Sequence, residues 1–382
     1  MVVYGYHILL KMRQKIINTY KREGIRSVFK KAYYRISYYL LRMFERNSYE
    51  ASRWEEIKGM YKGKRVFLLG NGPSLNETPL YMLKDEYVIC FNRFYIMRER
   101  LNWVPNFYMC VDDLVLQDLA PEVKEIVNDM ELAFFPDRHF RNKNFKKILP
   151  NLSNIYWMKP IFGRGFSVDL PQVYQGGSVI YEGMQVMNYL GFDEIILLGV
   201  DMNFKIHETA KTIGNERGTN ITSQDDDDPN HFDPRYFGKN RSYHQPKAYV
   251  LDNIFKNLDF LGENSVKYDL KITNAGFGSK VDSFPRKDFL SLFNKTSDEI
   301  QNMFDELMIE KGGKDSAQFE AVFPFVKTED ELSLVDGASS FHTTKDFCLK
   351  IARNIVHNYL ALGPFNEKYY LILRSNKIEH NG

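Results

Sequence analysis

Cysteine is scarce in these 382 residues: Cys90, Cys110 and Cys348 stand far apart, odd in number and without a C-x-x-C pair. That spacing argues against a disulfide framework and a thiolate zinc site, and it fits a reducing cytosol. Long apolar runs are missing as well: no stretch approaches the roughly 20 residues of a membrane span. The first apolar stretch leads straight into KMRQK, not into the pattern of a cleaved signal, so a cytoplasmic location is expected. Charge of one sign is missing overall. With a net of only +2, no general affinity for nucleic acid is expected. There is no internal repeat, no Walker Gly-Lys-Ser/Thr, and no glycine spacing that fits the dinucleotide fingerprint.

What is present is unevenly placed. Residues 1–50 carry eleven Lys and Arg against three Glu, a local net of +8, which leaves about −6 for the remainder. Ile16, Ile17, Tyr20 and Val28, then Tyr33, Tyr34, Tyr38, Tyr39, Leu40, Leu41 and Phe44, recur at helical spacing among Lys30, Lys31, Arg35, Arg42 and Arg46. Residues 1–60 therefore read as basic amphipathic helices. A tyrosine-rich face rimmed with cations suits the headgroup layer of an anionic membrane, and residues 1–50 are expected to lie against its inner face as a peripheral anchor. The plainer reading packs the same rings on the main domain. Aromatic residues make up 15% of the chain, which also suits stacking on a sugar or base.

From Lys64 the pattern changes to short, continuous apolar runs. Strands are predicted at Arg65–Leu69, Tyr87–Phe91, Phe107–Val111, Leu132–Phe135, Asn154–Met158, Glu194–Leu198 and Asp269–Ile272. Runs apolar on both faces imply a buried, mostly parallel sheet between helix layers: an α/β, doubly wound, Rossmann-like domain over residues 61–293. Helices are predicted at Ser178–Leu190 and Lys247–Leu261. Between them, residues 207–243 form a long polar segment with His231, Tyr236 and Tyr243, expected to act as a lid over substrate. Residues 294–382 carry no motif and read as an appendage, with helices at Asp298–Ile309 and Lys345–Leu360.

Ligands of such sheets bind at the carboxyl ends of strands. The first strand ends in Gly70-Asn71-Gly72-Pro73-Ser74, where glycines admit an anion to the backbone and Asn71 and Ser74 add hydrogen bonds. Asn92 and Arg93 follow the second strand, Asp112 and Asp113 the third, and Asp201 and Asn203 the one ending in Gly199. Each taken singly is equally an Asx turn or helix cap. Gly176, Gly177 and Ser178 open the clearest helix, where Ser178 serves either as N-cap or as an anion contact on the helix dipole. His231 and His244 bracket the aromatic stretch of the lid, and either imidazole suits proton transfer near neutral pH. The Asp225–Asp228 run reads as hydrated carboxylates more readily than as a metal site.

GNGPSL, CFNRFY, and GGSVIYEGMQVMNYLGFDEIILLGVDMNF, followed by a loop ending in His244 before a helix, resemble the bacterial sialyltransferases of glycosyltransferase family 42. They also resemble the wider superfamily of motility accessory factors and hydroxymethylpterin diphosphokinases, over about Lys64 to Phe293. The resemblance implies that Gly70, Asn71, Gly72 and Ser74 receive a nucleotide phosphate. It implies a nucleotide-sugar contact for Asn92, Asp112, Gly177, Ser178 and Asp201, and a general base at His244. Tyr236 and Tyr243 are the candidates for two phosphate-binding tyrosines that this chain lacks just after Asp201.

The expected function is metal-independent, inverting transfer of a sugar, sialic acid or a related nonulosonate, from a CMP-sugar to a cell-surface glycan, itself lipid-linked or free. The alternatives are a pterin-type diphosphokinase using ATP and Mg²⁺ at Asp112, Asp113 and Asp201, and a non-catalytic glycan-binding protein.

Overall fold

The computed structural model describes residues 2–44, 48–78, 80–101, 103–139, 144–205, 208–209, 211–213, 220–244, 248–276, 278–287, 289–293, 320–322, 359–365 and 368–374. In chain order these form helices α1 (Val2–Phe44) and α2 (Ser48–Ile57), then strands β1 (Arg65–Leu69), β2 (Tyr87–Phe91) and β3 (Phe107–Met109). Helices α3 (Asp113–Leu119) and α4 (Val123–Val127) precede β4 (Leu132–Pro136), β5 (Ile155–Ile161) and β6 (Gln172–Tyr174). Next come α5 (Val179–Tyr189) and β7 (Glu194–Leu198), the short strands β8 (Lys211–Ile213), β9 (Asn220–Thr222) and β10 (Ser242–His244), then α6 (Ala248–Asn264) and β11 (Lys271–Asn274). Backbone strands β12 (Glu320–Val322), β13 (Tyr359–Phe365) and β14 (Lys368–Arg374) make a separate antiparallel sheet.

The main sheet has eight strands in the order β11-β7-β1-β2-β3-β4-β5-β6, every pairing parallel. The two-residue period of a strand divides its apolar runs between two cores. Val66 and Leu68 with Ile89 and Phe91 face α2, α5 and α6, where the Trp54 indole donates to the Trp157 carbonyl at 3.2 Å. Phe67 and Leu69 with Val88 and Cys90 face the 3-10 turns, α3, α4 and two lid residues, Phe232 and Tyr236. Each fully buried side chain of this size contributes about 1.5–3 kcal/mol, so both layers hold the sheet.

The predicted parallel α/β architecture is therefore observed, with local changes. Phe107–Val111 shortens to end at Met109, because Asp112 caps α3. The last strand starts at Lys271, two residues later than expected, since Asp269 adopts a left-handed φ of 51°. β6 and the antiparallel β8–β9–β10 sheet inside the lid were not expected: these segments are short and polar. In the predicted helix Lys345–Leu360, Tyr359 and Leu360 instead begin β13; the rest of it, and Asp298–Ile309, lie outside the described residues.

Helix α1 breaks at Gly24, whose φ is 76°. Its buried Tyr38 donates to the Pro160 carbonyl and meets the Phe162 ring edge-on at 5.6 Å, with Arg35 over the same ring. Ile25, Phe29, Tyr33, Ile36 and Leu40 stand exposed at intervals of three and four residues. The helix thus both packs on the domain and presents an apolar stripe to solvent. No helix among the described residues is long and apolar enough to cross a membrane.

Candidate active site

Strands β2 to β6 run outward from β1 on one side, while β7 and β11 lie on the other, so the direction of winding reverses between β1 and β7. Ligand crevices of doubly wound sheets open at that reversal, outside the carboxyl ends. Here the two loops that leave it are drawn together. The Gly70 amide donates to the Leu198 carbonyl at 2.7 Å, and the Gly72 amide donates to the Gly199 carbonyl at 2.8 Å. A Cβ on Gly70 would lie 2.2 Å from the Gly199 oxygen, and one on Gly72 would lie 2.3 Å from Asp201 Oδ2, so only glycine permits the approach.

Asp201 closes the clasp. Its Oδ2 accepts from the Ser74 amide at 2.9 Å and its Oδ1 from the Ser74 hydroxyl. Burial raises the Asp201 carboxyl above its ordinary range, with the two Ser74 bonds opposing that. Both Ser74 donors expected to meet a phosphate are therefore engaged by a carboxylate of the same protein.

One strand over, the arrangement differs. Asn71 Nδ2 donates to the Phe91 carbonyl at 3.2 Å, which draws this side chain toward the end of β2. Asn92 turns the chain there with a left-handed φ of 52°, and its carbonyl accepts from the Tyr108 hydroxyl. The side-chain oxygens of Asn71 and Asn92 are both buried, and neither has a hydrogen-bond partner among the described residues. Asp112 does not join them: its Oδ1 accepts from the Leu114 and Val115 amides at 2.9 and 3.0 Å, as the N-cap of α3. The neighbouring Asp113 is buried, 3.9 Å from His139.

The segment expected to act as a lid lies across the ends of β1 and β2. The Phe232 amide donates to the Asn71 carbonyl at 2.9 Å, and Asn76 Nδ2 donates to the Phe232 carbonyl at 2.8 Å. Arg100 bridges Asn76 and Asp233 at 2.8 and 3.1 Å. Tyr236 is buried with its phenol pushed well up by that burial, and its hydroxyl accepts from the Arg93 amide. Tyr243 is buried too, stacked on Phe237 at 4.9 Å, and burial pushes its phenol up to about 12.

His231 stacks flat on Tyr236, with 3.8 Å between ring centroids, and its Nδ1 lies 2.7 Å from Asp228 Oδ2. Asp228 also accepts from the Asn230 and Phe237 amides at 2.9 and 3.1 Å. The hydrated-run expectation thus fails at its last member. Asp228 is buried and fixes an imidazole, and the signal available was the D-x-x-H spacing. The backbone of His244 ends β10, paired with Asn220 of β9; its ring lies outside the described residues.

Gly177 has a φ of 87° and faces Ile254 and Asn253 of α6. Ser178 is the N-cap residue of α5 without a side-chain cap bond. This helix start packs against α6, where Asn257 Nδ2 donates to the Gly176 carbonyl at 2.9 Å. No hydrogen bond joins Ser178 to Asn71 or Asn92 among the described residues.

One turn into α5, Glu182 is 4% exposed, and its Oε2 has no partner among the described residues. Burial pushes its carboxyl up to about 8. No group of three or more His, Cys, Asp or Glu side chains placed to hold a metal ion occurs among the described residues.

Comparison with known proteins bears on the first part of the chain. Residues 42–207 match the model of the family described as 6-hydroxymethylpterin diphosphokinase MptE-like. That span contains GNGPSL, CFNRFY and the α5 motif, and the match agrees with the superfamily resemblance drawn from them. No curated protein matches.

Among solved structures, the MAf glycosyltransferase from Magnetospirillum magneticum AMB-1 aligns at 14% identity with a TM-score of 0.36, over 80% of this chain and 49% of that one. This chain thus spans about half the length of that protein. The sialyltransferase CstII from Campylobacter jejuni, in complex with the substrate analogue cytidine-5'-monophosphate, aligns at 16% identity with a TM-score of 0.32, over 59% of this chain and 85% of that one.

Proposed function

We propose that the protein transfers a sugar from a CMP-sugar, of the nonulosonate class, to a cell-surface glycan. The observation that carries the reading is the pair of buried side-chain oxygens of Asn71 and Asn92 without partners at the ends of adjacent strands. Buried acceptors of this kind are normally bonded, and the hydroxyl and amino groups of a nucleotide sugar are donors of matching chemistry. The aromatic lid over them supports closure on a flat or ring-shaped ligand.

In the proposed step the acceptor hydroxyl gives its proton to an imidazole and attacks the anomeric carbon. The bond to the phosphate oxygen breaks, configuration inverts, and CMP departs. No metal ion is required in this scheme. His244 is the base that the resemblance implies. His231, held by Asp228, is the imidazole whose orientation the fold fixes. Transfer from CMP-sialic acid to a lactose-terminated acceptor, followed by product analysis, tests the reading, and single variants separate the two histidines. Removal of a general base typically lowers the rate about 10²–10⁴-fold. Such a fall in His244→Ala alone keeps the base there, and the same fall in His231→Ala alone moves it. Absence of transfer and of nucleotide-sugar binding in the unaltered protein would overturn the reading.

The apolar stripe of α1 within a basic segment supports a peripheral position on an anionic membrane, with a lipid-linked acceptor. Sedimentation with phosphatidylserine vesicles, weakened in Phe29→Glu, is the expected result.

A diphosphokinase is the second reading, favoured by the family match over residues 42–207. It predicts Mg²⁺-dependent stabilisation by ATP, with no shift from CMP.

A further inference from the structure

Arg93 follows Asn92 at the end of β2, and its guanidinium is 2% exposed. Nη2 is held by Asp118 of α3, and Phe237 of the lid covers the cation, its ring centroid 5.7 Å from Cζ. Nε and Nη1 are buried with no acceptor among the described residues. Arg241, just before β10, also donates to Asp118 Oδ2, so one carboxylate faces two guanidinium groups. Although burial opposes it, these two arginines hold the Asp118 carboxyl below its ordinary range.

A buried charge with two of its three donor nitrogens idle is strongly disfavoured unless something completes it. Nη1 lies on the Cδ side of the planar guanidinium and the Nε hydrogen on the Nη2 side, so the two idle nitrogens offer separate single contacts to carboxylate or phosphate oxygens. Tyr236, Phe237 and Arg241, the groups beside it, all belong to the segment 207–243, so that segment is what covers the arginine.

We infer that Arg93 is the anion anchor of the site, an idle guanidinium nitrogen, Nε or Nη1, donating to a carboxylate or phosphate oxygen of the bound substrate beneath the lid while Nη2 stays on Asp118. The assignment deepens the transferase reading and rests on it for the substrate's identity, though not for the chemistry of the anchor. Lysine keeps the charge but cannot hold Asp118 and an anion through separate nitrogens of one planar group. Asp118 competes with the anion for the same guanidinium.

The experiment is calorimetric titration of the full chain with sialic acid, inorganic phosphate, CMP and CMP-sialic acid. Sialic acid carries only the carboxylate and inorganic phosphate only the phosphate, so the two identify which oxyanion is bound. The expected result is that one of them binds the unaltered protein, at least tenfold more weakly in Arg93→Lys and Arg93→Met and more tightly in Asp118→Asn. Circular dichroism reports whether each variant folds. Should Arg93→Met unfold, Arg93→Lys and Asp118→Asn still decide. Equal affinity in the unaltered protein and Arg93→Lys, no gain in Asp118→Asn, or no binding of any of the four ligands overturns the anchor. Phosphate binding that depends on Arg93 without binding of CMP-sialic acid keeps the anchor and defeats the transferase reading instead.

Discussion

The gaps on either side of β1 are built from the same kinds of residue and end differently. Between β1 and β7, the Gly70 and Gly72 amides bond to the Leu198 and Gly199 carbonyls and Ser74 bonds to Asp201, so the donors a phosphate would need are engaged within the protein. Between β1 and β2, Asn71 and Asn92 each retain a buried acceptor, and Arg93 two buried donors, without partners among the described residues. Polar residues at strand ends are thus of two kinds, those that fasten loops and those whose buried polar atoms have no partner among the described residues. Substitutions on the first side should change stability, and those on the second should change binding.

The largest effect on stability is expected from Gly70→Ala. Its Cβ would press on the backbone of Gly199, which has no rotamer with which to yield. The expected loss is about 3 kcal/mol in urea unfolding, toward the upper end of ordinary overpacking. A loss under about 1 kcal/mol would show that the clasp opens easily and that the contrast between the two gaps is overstated.

Beneath the same strands, on the opposite face, Glu182 sharpens the contrast by pH. Gly183 beside it packs on Phe91 of β2. With its folded pKa raised to about 8 by burial, the carboxyl holds its proton more tightly in the native chain than in the unfolded one. Its contribution is therefore fully present below the unfolded value of about 4.3. It fades as pH rises toward and through about 8. Glu182→Gln should raise the unfolding free energy at pH 8 and leave it nearly unchanged near pH 4. Equal shifts at both pH values would mean that Glu182 is not a neutral acid in the fold.

How much of this was legible beforehand depends on range. Continuous apolar runs such as Val66–Leu69 and Ile195–Leu198 announce strands buried on both faces, because burial leaves no polar alternation. The carboxyl-end polar residues were readable as a set. Their division was not: that Asp201 reaches Ser74, or that Asp112 caps α3, depends on contacts that spacing does not encode. Arg93 belongs to that set beside Asn92, but its burial is not legible in the sequence, since an arginine after a strand is ordinarily solvated. Its burial comes from a lid whose own strands are three residues each and mostly polar.

The smallest stability effects make the clearest test of the two kinds of residue. Asp201→Asn removes a charged acceptor from two Ser74 donors, but it also relieves a carboxylate whose burial is unfavourable. The net loss should be about 1–2 kcal/mol, with little change in nucleotide-sugar affinity. Asn92→Gly is the counterpart. The φ of 52° is one that glycine adopts freely, and the deleted carboxamide oxygen has no partner to lose. Stability should therefore change by no more than about 0.5 kcal/mol in either direction, while affinity for CMP-sialic acid falls at least tenfold, about 1.4 kcal/mol. A pair of variants that moved stability and affinity together would mean that the β1–β2 gap is fastened like its neighbour, and that its buried oxygens await nothing.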